Sequence, residues 1–202
     1  MKKLYERIED INIRGGIERL SEVVTVMDIS LQNIAAYTDK LVDYLVKFNN
    51  SNMGKQYDNV VSNSLRLRDE LYEASYQLND MQNQVVAYQN KIYRYEGMAE
   101  RAEKANPYLV TKRAITITNT GVQFSKTDMM DLVTLLSSYS EGVGNQIKTI
   151  QEKKEDIASV WLDSQYDDFS EFIDGVTKKV NATIRIYDDF VLEIVERIKE
   201  LN

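Results

Sequence analysis

The chain has 202 residues, 43% of them hydrophobic, with 25 Lys and Arg against 32 Asp and Glu, a net charge of −7 and a pI near 4.8. That is enough apolar chain for a packed core, and its acidity supplies no basic surface of the kind that tracks nucleic-acid phosphates or an anionic membrane. The absence of cysteine and histidine removes disulfides, thiol chemistry, the commonest general base and the commonest metal ligand, so neither an enzyme nor a cofactor is expected.

One proline and eight glycines are few, which argues for a small number of long elements and an all-α fold. No apolar run reaches the roughly 20 residues that span a bilayer. The acids Glu6, Glu9 and Asp10 interrupt what would have to be the apolar core of a signal peptide. A cytoplasmic location, or export by a route other than Sec, is therefore expected.

In chain order, residues 1–16 read as a lead-in, a short amphipathic helix with Leu4, Ile8 and Ile11 on one side that Gly15-Gly16 breaks. From Ile17 the apolar positions Leu20, Val24, Met27, Leu31, Ile34, Leu41, Leu45 and Phe48 alternate in steps of four and three, with Thr38 as a polar interruption. The Asn- and Gly-rich run Asn49–Gly54 stops this helix, because these residues tolerate left-handed backbone and compete for backbone hydrogen bonds. A second seam, Leu67, Leu71, Ala74, Leu78, Met81, Val85, Tyr88, Ile92, Tyr95 and Ala99, predicts one helix from about Lys55 to Lys104. At ~1.5 Å per residue it would be roughly 75 Å long and would need a partner along its length.

Asn106-Pro107 ends the first hairpin, residues 17–105. Residues 106–126 form the crossover, where Ile115 and Ile117, then Val122 and Phe124 across a turn with Asn119 and Gly121, change the period to two. This is a candidate small β-hairpin; an extended linker crossing the bundle is the competing reading. Ser125 to Asp128 offers helix caps. The second hairpin, residues 127–202, has a seam at Leu132, Leu136, Tyr139, Val143, Ile150, Ile157 and Trp161, with Ile147 adjacent and Gly142 and Gly144 as weak points. It resumes at Phe169, Ile173, Val176, Val180, Ile184, Tyr187, Val191, Ile194, Ile198 and Leu201. The expected architecture is two long antiparallel helical hairpins that bury their seams together as a four-helix bundle.

The two turns are related. Val160–Phe169 holds the only tryptophan, and Gln165, Tyr166 and Asp167 there match Gln56, Tyr57 and Asp58 after the first turn. The spacing from Trp161 to Phe169 between two amphipathic helices resembles the WXG family of helical-hairpin proteins exported by type VII secretion systems. Its signature is Trp-x-Gly followed by an aromatic at the position Phe169 holds. The second hairpin keeps Trp161 and Phe169 but has Asp163 at the glycine position; the first keeps Gly54 but has Asn52 for the tryptophan and Val60 for the aromatic. Asp can adopt capping or left-handed geometry in place of that glycine.

The resemblance implies a covalent pseudo-dimer of two such hairpins, because family members pair into antiparallel four-helix bundles. It implies the hairpin-turn residues Trp161, Asp163, Tyr166, Phe169, Gly54 and Tyr57 as signature positions. It also implies a protein partner, such as a larger toxin or a secretion component, with homo-oligomers as a further option. The family's Tyr-x-x-x-Asp/Glu export signal, expected after the last helix, has matches here only at Tyr5–Glu9 and Tyr76–Asp80.

Trp161, Tyr166 and Phe169 admit two readings: an apolar plug at a hairpin end, or a groove facing a partner, since Trp and Tyr dominate interface energetics. Asp167, Asp168 and Glu171, and likewise Asp188-Asp189, suggest a metal site at first sight. Carboxylate bundle sites, however, use Glu-x-x-His ligands that a histidine-free chain lacks, and the first-turn acids complement the helix dipole. The thirteen tyrosines either line a pocket or fill a core with the hydroxyl at its edge. A membrane-inserting tongue at 115–124 is disfavoured by Thr116, Thr118, Asn119 and Gln123. The expected function is a non-enzymatic interaction protein of type VII secretion, as substrate, targeting partner or chaperone. The alternative is a cytoplasmic structural or adaptor bundle, of phage or defence-system type, without export.

Overall fold

The computed structural model describes residues 13–52, 54–95, 97–99, 115–117, 121, 123, 125–162 and 164–200. Four helices account for almost all of these: α1 Ile13–Ser51, α2 Lys55–Tyr95, α3 Lys126–Ile157 and α4 Ser164–Glu200. Each helix packs against two others, α1 on α2 and α3, and α4 on α2 and α3, so the four seams face one another in a closed ring.

The directions follow from paired residues. Gln82 and Gln89 of α2 reach Val24 and Ser21 of α1, so the first hairpin is antiparallel. Along α1, Arg19, Asn33, Thr38 and Tyr44 meet Asp156, Gln146, Tyr139 and Asp128 of α3. The partner number falls as the α1 number rises, so the two hairpins lie head to tail. The turn of each hairpin is therefore level with the open end of the other.

The predicted seams are the core. Leu20, Val24, Met27, Leu31, Ile34, Thr38, Leu41, Leu45 and Phe48 of α1 are all buried, as are Leu132, Leu136, Tyr139, Val143, Ile147, Ile150 and Ile157 of α3. At about 1.5–3 kcal/mol for each fully buried large aliphatic side chain, this seam is what makes helices of such length stable. A helix of this kind depends on packing more than on intrinsic propensity. α3 starts where expected: Ser125 takes the N-cap position with extended backbone and accepts the Asp128 N–H on its side-chain oxygen at 3.2 Å.

Three expectations change. Gly15-Gly16 does not separate a lead-in from α1, because the helix already begins at Ile13 and runs through both glycines; residues 1–12 lie outside the described residues. α2 stops at Tyr95 rather than near Lys104. Gly97, at φ 65°, donates to Arg94 O at 3.2 Å while Met98 donates to Tyr93 O at 2.8 Å, the paired bonds of a glycine-terminated helix end. Tyr95 and Ala99 accordingly leave the seam, with Tyr95 56% exposed. Trp161 at the turn of the second hairpin stacks on Tyr88, and beyond it burial falls away from Gln89 and Asn90 through the part-buried Ile92 to the exposed Arg94 and Tyr95.

In the crossover, Ile115–Ile117 are irregular and no strand is present among the described residues. Ile115 and Ile117 pack against the core, and Asn49 Nδ2 donates to Thr116 O at 3.2 Å. Of the rest of the candidate β-hairpin, Gly121 and Gln123 are described and exposed, and Gln123 makes a single β-bridge; Val122 and Phe124 lie outside the described residues, as does Leu201.

Candidate functional site

The turn of the second hairpin is built by aromatic stacking. After Ile157 the backbone tightens through short bonds, with Ala158 N–H to Glu155 O at 3.2 Å and Val160 and Trp161 N–H to Ile157 O at 3.0 Å each. This swings the Trp161 indole inward, where it is 7% exposed. It stacks on Phe169 of α4 at a centroid distance of 5.4 Å and on Tyr88 of α2 at 5.4 Å, and meets Tyr166 edge-on at 5.8 Å. Phe169 is 2% exposed; Tyr166 is half-buried and donates its hydroxyl to Lys154 O at 3.3 Å. The three predicted partner-facing aromatics thus come together, around a fourth ring from the other hairpin that sequence reading placed only on a seam. Asp163 lies outside the described residues.

Polar contacts close the turn of the first hairpin. Gly54 has φ 126°, a backbone that L side chains rarely adopt, and its carbonyl accepts the Tyr57 and Asp58 N–H groups that begin α2. Tyr57 is half-buried and meets Phe48 edge-on at 6.3 Å. Asn52 stands where the signature tryptophan would be, and it is fully buried. Its Nδ2 donates to Asp128 Oδ2 at 3.0 Å and to Phe48 O at 3.2 Å, and its Oδ1 accepts Ser125 N–H at 2.8 Å. Ser51 Oγ donates to the same Asp128 oxygen at 2.9 Å, and the Tyr44 hydroxyl to Asp128 O at 2.9 Å. The cap of α3 is thereby bolted to the turn of the first hairpin. The sequence showed Asn52 as a departure from the signature but gave no sign of its role, since all its partners on α3 are distant in the chain.

Midway, all four helices contribute polar groups to the core. Thr38 of α1 hydrogen-bonds the Tyr139 hydroxyl of α3 at 3.2 Å, the Tyr139 ring packs on Tyr187 of α4 at 5.6 Å, and Arg68 of α2 is 4% exposed. Burial pushes the Tyr139 phenol up to about 12 and the Tyr187 phenol well above its ordinary value, while the Arg68 charge opposes both shifts. The Tyr187 hydroxyl has no hydrogen-bond partner among the described residues. Gly142 of α3 makes room for the Tyr37 ring of α1: a Cβ there would lie 2.8 Å from it.

Near the Trp161 end the hairpins are also joined by charge. Lys153 of α3 bonds Glu22 of α1 as well as Asp156, and Arg19 bonds Glu22 and Asp156 at 3.2 and 3.1 Å. The Lys153 hydrogen bonds hold both carboxyls below their ordinary range. Exposed pairs of this kind contribute little stability each. Asp167, Asp168, Glu171, Asp188 and Asp189 are exposed, with Asp167 in the first turn of α4. Among the described residues no three acidic side chains gather as a metal site would require. An open groove of about 340 Å³ runs between α3 and α4, lined by Ser140, Gly144, Ile147, Thr177, Asn181 and Ile184 among others.

Among the described residues no helix is long and apolar enough to cross a membrane. Comparison with known proteins returns no matching family model, no matching curated protein and no matching solved structure.

Proposed function

We propose that this chain is a non-enzymatic helical interaction protein, a tandem WXG-like pseudo-dimer that serves type VII secretion as substrate, targeting partner or chaperone. The observation that carries this reading is the turn of the second hairpin, where Trp161 and Phe169, at the signature spacing, stack at 5.4 Å. The positive-φ Gly54 occupies the turn of the first hairpin at the opposite end. Two head-to-tail hairpins with split signatures at opposite ends are what a fusion of two paired family members would produce. The partner is a protein, such as a larger toxin or a secretion component, and it meets the outer faces of the bundle, where Ile29, Tyr76 and Leu192 are 52%, 53% and 61% exposed. A secretion assay in a host with a type VII system, read together with co-purification, tests the proposal. Appearance in the medium, or a co-purifying secreted partner, is the expected result; absence of both overturns it.

One observation favours the alternative of a cytoplasmic adaptor or structural bundle. Trp161 and Asn52 are both sealed inside their turns, at 7% and 0% exposure, so the signature positions serve the fold itself. Capture of a partner that stays in the cytoplasm would support this second reading.

A further inference from the structure

We infer that Thr38, Arg68, Tyr139 and Tyr187 are the pairing-specificity residues of the bundle, the layer through which the first hairpin recognises the second in a single register. Most other inward positions are Leu, Ile, Val and Met at steps of three and four, and the buried Gln82 and Gln89 bond within the first hairpin. Such faces match one another in several registers, and match a copy of themselves as readily as the other hairpin. The layer breaks that degeneracy midway along the bundle, as Asn52 does at its end, because the Thr38–Tyr139 bond joins unlike hairpins. Thr38 meets Tyr139 across the α1–α3 contact at 3.2 Å, and Tyr139 packs on Tyr187 at 5.6 Å. Arg68, 4% exposed, pairs with Asp69 at 2.6 Å, and its charge reaches both phenols. Just beside them Thr183 of α4 donates to Glu70 of α2 at 3.3 Å.

A shift of one helical turn, or pairing of like hairpins, would leave the Tyr139 hydroxyl buried opposite aliphatic side chains, while Arg68 keeps Asp69 of its own helix and loses the two phenols. Stranding a buried hydroxyl is more costly than the lost contact itself. The surface thus accepts the second hairpin, from the same chain or exchanged from a second copy, and rejects the first.

The full chain, which has no cysteine, takes spin labels cleanly at Ala36→Cys on α1 and Asn145→Cys on α3, both exposed positions. The triple variant Thr38→Val, Arg68→Met, Tyr139→Phe makes the layer apolar at similar volume. It is expected to show, beside the parent distance, a second label-to-label distance absent from the parent, and hairpin-exchanged dimers by light scattering. Tyr139→Phe alone removes the hydroxyl bonded to Thr38 and is expected to show the same second distance at lower population. Tyr187→Phe, whose hydroxyl has no partner among the described residues, is expected to behave as the parent. A triple variant with the parent's single distance and oligomeric state overturns the inference. Should the triple variant not fold, the two single variants decide: identical distance distributions in Tyr139→Phe and Tyr187→Phe overturn it.

Discussion

Replacing Asn52 by alanine removes the acceptor of the Ser125 N–H at 2.8 Å and the donor to the Asp128 carboxylate at 3.0 Å. A hydrogen bond to a charged group is worth about 1.5–3 kcal/mol, and a stranded buried donor costs about 1–3 kcal/mol. Asp128 keeps its bond from Ser51 at 2.9 Å, so the lower part of both ranges applies and the expected loss is about 3 kcal/mol. In a chain of this length each kcal/mol moves the melting temperature by about 2–4 °C, which gives a drop of roughly 6–12 °C by calorimetry. Asn52→Asp keeps the shape but turns the donor into a carboxylate facing that of Asp128. Its deficit is therefore expected to exceed that of alanine at neutral pH and to shrink on acidification, as the introduced carboxylate beside a like charge takes up a proton. Asn52→Trp, the residue that the WXG resemblance would put there, overfills a fully buried site and is expected to cost at least about 1–3 kcal/mol. An Asn52→Ala protein that melts within about 2 °C of the parent, or an Asn52→Asp protein with the parent's pH profile, would refute the view that this side chain holds the turn to α3.

Trp161→Ala empties a site bounded by Tyr88, Tyr166 and Phe169 and is expected to cost about 3–5 kcal/mol in denaturant titrations; loss of a partner without loss of stability would instead place the indole at an interface. Gly142→Ala drives a methyl to 2.8 Å from the Tyr37 ring, whereas Gly175, exposed in α4, has nothing within 4 Å of a Cβ. The expected signs are opposite in thermal melts: a net loss for Gly142→Ala, and a gain of about 0.5–1 kcal/mol for Gly175→Ala from helix propensity. The Tyr139 phenol is raised from 10.0 to about 12 and that of Tyr187 well above its ordinary value, both by burial. Their stabilisation is complete below pH 10, where the unfolded phenols are still neutral, and is lost as pH rises through the folded value. For Tyr139 the expected loss between pH 10 and 12 is about 1.4 kcal/mol per pH unit. Phenolate absorbance should rise together with loss of helical circular dichroism; early ionisation of all tyrosines in a folded protein would contradict it.

The periodicity of α1, α3 and α4 was legible because a seam is a property of local spacing: Leu20 to Phe48, and Phe169 to Ile198, alternate in steps that any long bundle helix must obey. The Ser125 cap was legible for the same reason. The end of α2 was not. Tyr95 continues the pattern perfectly well as a string of letters, and only the tertiary structure shows that the helix ends there with its ring 56% exposed. The polar core residues Arg68, Gln82 and Gln89 were likewise invisible, since their partners or counterparts lie on other helices.

By itself the sequence determined the helical class, the positions of both reversals and the faces that had to meet, because apolar spacing, glycine and asparagine placement and caps act over a few residues. Tertiary structure alone decided which hairpin end lies beside which. It turned Trp161 into a stacked plug and Asn52 into a hydrogen-bonded bolt. Those roles depend on atoms brought together from opposite halves of the chain, and no local pattern encodes a distance between residues so far apart.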